Sequence, residues 1–586
     1  MAENIIIPVR IKNHTPKNIG IKLLGTWALD EEDLNNIKNI TILEYVYDDY
    51  QRLYDDYLYT KNLYSKLLPI LGKIFNDQHK LNWDIRACKI FYGSWLQTYI
   101  PVIRERFQTV EMALEGNLND KFLLCNYEIN ISSSEEFKRK INEDAYNHFL
   151  YSKILKFIDK ERYNNNLPYA ISSDFPEINV QRDSINAKLK KLFLSIFQVV
   201  LNFFSKNSQS AIDRSYFSMK DFFKLIFKTF PSVTPIVYFP ELKYFDKKVN
   251  QILRDKLTKN LKNSHLTKNK FEEFLLENLF QDAPIDFLEN FQKVYEASNY
   301  IDIKDKNFLS SNAILFNQIL QCALANQLSL NKNLFIAQHG GSYGIVRWSM
   351  QEFYELDVAD KFISFGWAKD KHMNILDISH PKLLLNFKKD KIIANKILYI
   401  TWGPSRFFNR SWSNPIAGKS INNYYNNILI FLKHIDTSIG KIYIRLSPSC
   451  YEYKIGIKKF LGKSFNYSDG NFYTEIESAS LVVCDHNQTT FLESLANNKP
   501  TIIIWNKKYT KINDISLPYF QKLKEVGIFY ENHADAAKFI NILCINNSIE
   551  TWWSDKNRQD AINFFITKYA KKNINWIEDY KNILLK

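Results

Sequence analysis

A chain of 586 residues, 46% hydrophobic and 15% aromatic, carries more apolar material than one ordinary core holds and is expected to divide into two or three domains. Its 77 Lys and Arg against 63 Asp and Glu leave a formal charge of +14, which favours anionic partners; the basic residues are dispersed and no zinc-finger or RNA-recognition signature accompanies them, so nucleic acid is set aside. The six cysteines, Cys88, Cys125, Cys322, Cys450, Cys484 and Cys544, show no CxxC or Cys/His ligand spacing and read as free thiols of a reducing compartment; with no signal-peptide pattern and no 18-residue apolar run, a cytoplasmic protein is expected.

Along the chain, residues 1–165 open with a strand around Ile5–Ile7 and continue as a helix-rich region in which Leu and Tyr recur at helical spacing, as in DDYQRLYDDYLYTKNLYSKLL. The DDY repeats at Asp48 and Asp55 read there as surface charge. Lys188–Lys206, KLKKLFLSIFQVVLNFFSK, has a largely apolar centre between lysines. It reads either as a buried or interdomain helix with snorkelling lysines or as a helix lying in a membrane interface. FFKLIFKTF, Phe222–Phe230, adds a second basic and aromatic patch.

From Val233 onward short apolar runs alternate with longer helical stretches: PIVYF near Ile236, LFIAQ at Leu334, KFISF at Lys361, ILYIT at Ile397, IYIRL at Ile442, LVVCD at Leu481, TIIIW at Thr501 and GIFY at Gly527. Such alternation predicts parallel sheets, two of them, with a break near residues 380–395. The expected organisation is a helix-rich region at 1–165 serving the acceptor side, one Rossmann-like domain at 166–385, and a second at 386–586. The aromatic tail after Thr551 is expected to pack against a domain face.

Four strand ends carry residues fit for an anion. FIAQHGGSYG leaves a strand through His339, Gly340 and Gly341; paired glycines let backbone approach a phosphate, and histidine can donate to it or act as acid or base. Glu352 and Glu355 follow in EFYE; Glu352 is a candidate for positioning an acceptor hydroxyl, and a solvated helix glutamate is the plain alternative. ILYITWGPSRFF ends on Arg406, and IYIRLSPSCYEY on Arg445 and Ser447, where guanidinium forks suit phosphate oxygens and surface ion pairs are the alternative. LVVCDHNQTTFLE passes Asp485, Thr489 and Thr490 into a short helix with Glu493, a βαβ unit whose helix start faces an anion; an ordinary helix cap at Asp485 or Thr489 reads equally well.

The order QHGG, WGPSR, RLSP, DHNQTTFLE and NKPTIII resembles the GT-B transferases that include CDP-glycerol glycerophosphotransferases and capsule sugar transferases. More closely, these motifs with LLGTWAL at Leu23–Leu29 and WDIRACKIFYGSWLQTYIPVIRERF at Trp83–Phe107 resemble a transferase family encoded with bacterial surface-polysaccharide (O-antigen) genes. The resemblance implies an α/β, GT-B-like fold, two Rossmann-like domains facing a cleft beside a helix-rich N-terminal region. It implies His339 near the donor phosphates, Arg406 and Arg445 neutralising them, Thr489 and Thr490 meeting phosphate, Glu493 on the donor ribose, and Asp485 as the strand-end aspartate. The phosphotransferase relatives and several CMP-sugar users carry His-Pro where this chain has Ser447-Pro448, a departure that tells against a cytidine nucleotide.

The expected function is transfer of a sugar from a nucleotide-activated donor to a surface-glycan or lipid-linked acceptor, without a metal ion and with no cofactor beyond the donor, and with peripheral contact at the inner membrane through 188–206. The alternatives are a polyol-phosphate transferase and a non-catalytic, membrane-peripheral scaffold.

Overall fold

The computed structural model describes residues 4–586 apart from 12–19, 30–39, 117–118, 165–166, 170–184, 214, 241, 243–247, 265, 369–373, 439 and 448–464. Pro448 and Cys450 fall outside the described residues. The other five cysteines are buried free thiols.

The N-terminal region is more than helical. Strands β1 (Asn4–Ile7), β2 (Gly20–Leu23), β3 (Ile40–Ile42), β4 (Lys121–Cys125) and β5 (Leu167–Tyr169) form a parallel sheet in the order β3-β2-β1-β4-β5. Only β1 was legible in advance, because the others lack a sustained alternation and lie beside long helical patterns. Around them pack helices α1 (Tyr50–His79), α2 (Ser94–Leu114), α3 (Ser134–Lys140) and α4 (Asp144–Ile158). Helix α1 starts where the Asp49 carboxylate accepts from the Gln51 and Arg52 amides, and it buries Leu53, Tyr57, Tyr64, Leu67 and Leu71 at helical spacing.

Helix α5 (Ile185–Ser205) leads into the middle sheet, strands β6 (Ser210–Ile212), β7 (Val233–Pro235), β8 (Asn307–Ser310), β9 (Leu334–Ala337), β10 (Lys361–Ser364) and β11 (Ile375–Asp377), ordered β11-β10-β9-β8-β6-β7. Helix α6 (Met219–Thr229) lies between β6 and β7. Helices α7 (Gln251–Lys262) and α8 (Lys270–Asp282) depart from the middle sheet and join the N-terminal unit: the hydroxyls of Tyr59 and Tyr99 donate to Glu272 and Asp282 at 2.8 Å, and Lys153 pairs with Asp282 at 2.6 Å. Helix α9 (Met350–Val358) follows the glycine loop after β9.

The third sheet holds β12 (Lys396–Ile400), β13 (Lys441–Arg445), β14 (Asn466–Tyr467), β15 (Leu481–Cys484), β16 (Thr501–Ile504) and β17 (Phe529–Tyr530), ordered β14-β13-β12-β15-β16-β17 and parallel throughout. Its central strands are buried along their whole length, as continuous Ile and Val runs require of a sheet covered on both faces. Helix α10 (Lys419–His434) follows β12, and α11 (Thr489–Ala496) joins β15 to β16. The fold is thus the expected α/β, GT-B-like pair of Rossmann-like sheets, extended by a third parallel sheet at the N-terminus.

The tail crosses back. Helix α12 (Trp576–Leu584) buries Trp576, Tyr580 and Leu584 in a core with Phe217, Phe222 and Leu309 of the middle unit, rather than remaining with the sheet that precedes it in sequence.

Candidate functional site

Strand β9 delivers Gln338, whose side chain fastens the following loop: its carbonyl accepts from the Phe365 amide and the Trp367 indole at 2.8 Å, and its amide donates to Gly340 O at 2.7 Å. The loop turns at Gly344 (φ +71°), where the Trp367 ring leaves no room for a side chain. Glu352, third in helix α9, accepts the Gly344 amide at 3.1 Å. It therefore shapes the loop, a role different from the acceptor contact expected for it.

The middle and third sheets meet at this loop. A Cβ on Gly341 would stand 2.4 Å from the carbonyl of Gln488 and 2.6 Å from the Thr489 amide nitrogen, so the glycine allows the carboxyl edge of one sheet to touch the start of α11 on the other. Gly341→Ala must push the sheets apart. Overpacking of this kind costs roughly 1–3 kcal/mol, and a misplacement of about 1 Å lowers turnover about 100-fold; melting temperature and kcat/KM are both expected to fall.

His339 stands at this seam with its side chain 13% exposed. Its ring stacks on Tyr216 (5.5 Å, 18°), and its Nε2 lies 3.3 Å from both the Tyr343 hydroxyl and the Gln351 amide. Its Nδ1 is buried without a hydrogen bond, 3.9 Å from Glu355 Oε2. Tyr216 and its neighbour Ser215 both hold positive φ (64° and 40°) at the carboxyl end of β6, a conformation that costs energy in non-glycine residues and recurs at functional sites. Asp213 secures it, accepting from the Ser215 amide at 2.7 Å and the Ser310 hydroxyl at 2.5 Å.

Charge around His339 is mixed. Lys382, from the short turn between the two sheets, pairs with Glu493 at 3.3 Å and lies 5.4 Å from the Tyr216 ring centre. Burial, with Lys382 and Arg410 nearby, pushes the His339 pKa down to about 3, so the imidazole is neutral. Burial raises Glu355 to about 8, reinforced by Glu352 and opposed by hydrogen bonds from Gln351 and Tyr343 and by Lys138. Lys138 itself is pushed down to about 7 by burial; it reaches in from α3 and donates to Ser94 Oγ at 3.0 Å and to Leu315 O. Glu493 is raised by burial and held back by Lys382.

Of the residues expected at the site, His339, Gly340, Gly341, Thr489 and Glu493 come together, with Thr490 half-buried at the second position of α11. Arg406, Asp485 and Arg445 are engaged elsewhere. Arg406 is 8% exposed and ion-paired with Asp144 of the N-terminal unit, so it ties loop to helix α4. Asp485 turns inward to the Tyr424 hydroxyl (2.9 Å) and the Trp402 amide (3.1 Å), and burial lifts its pKa to about 7. Arg445 donates to Gly470 O at 2.8 Å and stacks over Phe472; Ser447 follows it, half-buried. Beside Asp485, where the strand order reverses between β12 and β15, lies a cavity of about 20 Å³ lined by Trp402, Asp485, His486, Asn487, Tyr509 and His533; the Tyr50 hydroxyl of α1 donates to Tyr509 O at 2.7 Å. Its size suits one water molecule.

Lys382, Tyr216, Gln351 and Arg410 were not singled out in the sequence. Lys382 lay in the stretch read as an interdomain break, and its HPK motif resembles any basic linker. Tyr216 sits on a loop with no glycine to mark its positive φ. Among the described residues no group of three or more His, Cys, Asp or Glu side chains is placed to hold a metal ion.

The model of the LIC12162 family of transferases matches residues 6–584, nearly the whole chain. The chain belongs to that family. No curated protein matches this LIC12162 family transferase. Similar solved structures include a variant of S. aureus TarM in complex with fondaparinux, alpha-GlcNAc-glycerol and UDP, at 16% identity and TM-score 0.32 over 50% of this chain and 58% of that one. A variant of the wall teichoic acid polymerase TagF soaked with CDPG matches at 13% identity and TM-score 0.33, over 69% and 98% of the two chains. MurG of Acinetobacter baumannii matches at 9% and 0.29, over 67% and 95%. The chain thus spans a little over half the length of TarM, 57% and 58% in two structures.

Proposed function

We propose that this transferase moves a sugar from a nucleotide-activated donor to a surface-glycan or lipid-linked acceptor in cell-envelope polysaccharide synthesis. The observation that carries the reading is the seam itself: a neutral histidine from one sheet stands beside a lysine, an arginine and a helix start at the edge of the other. The neutral imidazole supports the reading of His339 as a base over that of a cationic phosphate clamp. In this reading His339 takes the proton of the acceptor hydroxyl as its oxygen bonds to the anomeric carbon. The bond from that carbon to the nucleoside diphosphate breaks, and the electron pair leaves with the diphosphate. Lys382, Arg410 and the α11 amides carry the departing charge, work for which the reading needs no metal. Ser447, where CDP-glycerol enzymes and several CMP-sugar users resembled by this chain carry histidine, tells against a cytidine nucleotide and leaves the choice between sugar and polyol phosphate to product analysis.

Thermal unfolding against CMP, CDP, UDP, GDP and dTDP tests the donor site. A ligand bound to the folded state alone at 100 times its Kd stabilises by about 2.7 kcal/mol. The expected result is a higher melting temperature with at least one diphosphate, lost in Lys382→Ala and in Glu493→Ala. No shift with any nucleotide would move the reading to the non-catalytic scaffold.

A further inference from the structure

Helix α5 was open to two readings, and its outward face decides against burial. Eight apolar residues between Leu192 and Phe204 are exposed, among them Phe193 (66%), Val199 (65%) and Phe203 (70%). At 100° per residue they span one side of the helix, while Gln198, Leu201 and Ser205 point to the protein. Helix α6 continues the patch: Phe227 is 84% exposed, and Phe204 touches Phe230 at its end, ring centres 6.0 Å apart. A groove of about 320 Å³ lined by Ile196, Val199, Tyr238 and Tyr300 runs beside α5. Contiguous apolar surface of this extent on a water-soluble face marks an interaction site.

We infer that α5 and α6 form a docking face for an anionic lipid bilayer, lying in the plane of its headgroups. Among the described residues the apolar strip is rimmed by exposed Lys206, Lys220, Lys224 and Lys228, with Asp221 the acidic residue on α6. That charge selects the occupant. A second copy of the same face would set lysines against lysines, whereas phosphate headgroups meet the lysines as the phenyl rings enter the acyl boundary. No helix among the described residues is long and apolar enough to cross a membrane, so the contact is interfacial. Helix α5 runs directly into β6, whose far end carries Tyr216 against His339. The inference deepens the lipid-linked acceptor reading by naming the surface that would bring the cleft to such an acceptor.

The test is co-sedimentation of the full chain with vesicles of phosphatidylcholine alone and of phosphatidylcholine with 30% phosphatidylglycerol. The expected result is at least about 10-fold tighter binding to the anionic vesicles, weakening with salt. Phe203→Glu with Phe227→Glu should abolish it, and Lys220→Glu with Lys224→Glu should lower it about 10-fold; all four side chains are exposed, so folding is retained, as melting curves would verify. Nucleotide-dependent stabilisation should be unchanged in these variants, which separates failure here from failure of the donor reading. Equal binding to neutral vesicles, no binding to either, or a concentration-dependent dimer dissolved by the phenylalanine changes would overturn the inference.

Discussion

Alanine at position 339 is expected to lower kcat/KM about 1000-fold while the melting temperature changes little, since general-base catalysis contributes roughly 100- to 10,000-fold and the ring sits at a seam rather than in the core. Without donor, burial and the charges of Lys382 and Arg410 hold the imidazole near pKa 3, a weak base. A nucleoside diphosphate on Lys382 and Arg410 neutralises those two charges, which leaves burial as the remaining cause and moves the histidine toward its ordinary range. In the proposed reaction the donor would thus raise the basicity of His339, with burial persisting as the larger cause of its low pKa. His339→Gln, which keeps a hydrogen-bonding amide and lacks the titrating nitrogen, should be as inactive as alanine. Full activity in either variant would remove His339 from the chemistry; loss of donor-induced stabilisation with retained turnover would return it to phosphate binding.

How far the sequence led can be judged residue by residue. The two Rossmann-like sheets were legible because β9, β12, β15 and β16 are continuous runs of Ile, Val, Leu and Phe, the pattern of strands covered on both faces. The N-terminal sheet was harder to read because the long amphipathic α1 dominates the periodicity around its strands. His339, Gly341 and Glu493 were legible as neighbours because a strand end followed by a helix fixes where side chains point. Arg406 misled, since a strand-end arginine suits a phosphate and an aspartate alike, and what settles the choice is Asp144, 262 residues away. Glu352 misled through spacing: one turn of helix separates it from Glu355, and the first reaches back to the Gly344 amide while the second faces Tyr343 and His339.

Glu355 carries the second large prediction, a stability that depends on pH. Its carboxyl is fully buried (0% exposed) and accepts from Tyr343 (2.8 Å) and Gln351 (3.0 Å), and burial lifts its pKa from 4.5 to about 8. The folded state therefore holds a proton that the unfolded chain gives up. The associated stability is complete below pH 4.5 and is lost as the pH rises through about 8, an upper figure of ~5 kcal/mol at about 1.4 kcal/mol per pH unit. Lys138, lowered to about 7, acts in the reverse sense: the unfolded chain holds its proton to higher pH, so above about 7 its contribution rises with pH. Other buried groups, among them His339 lowered to about 3 and Asp485 raised to about 7, also shape the wild-type profile, so the Glu355 contribution is read as a difference between two proteins. Glu355→Gln keeps both hydrogen bonds and removes the titration, so its melting temperature relative to that of the wild type should rise steadily from pH 5 to pH 8. Parallel profiles for the two proteins would mean that Glu355 does not titrate in this range and that the buried carboxyl beside His339 is already ionised.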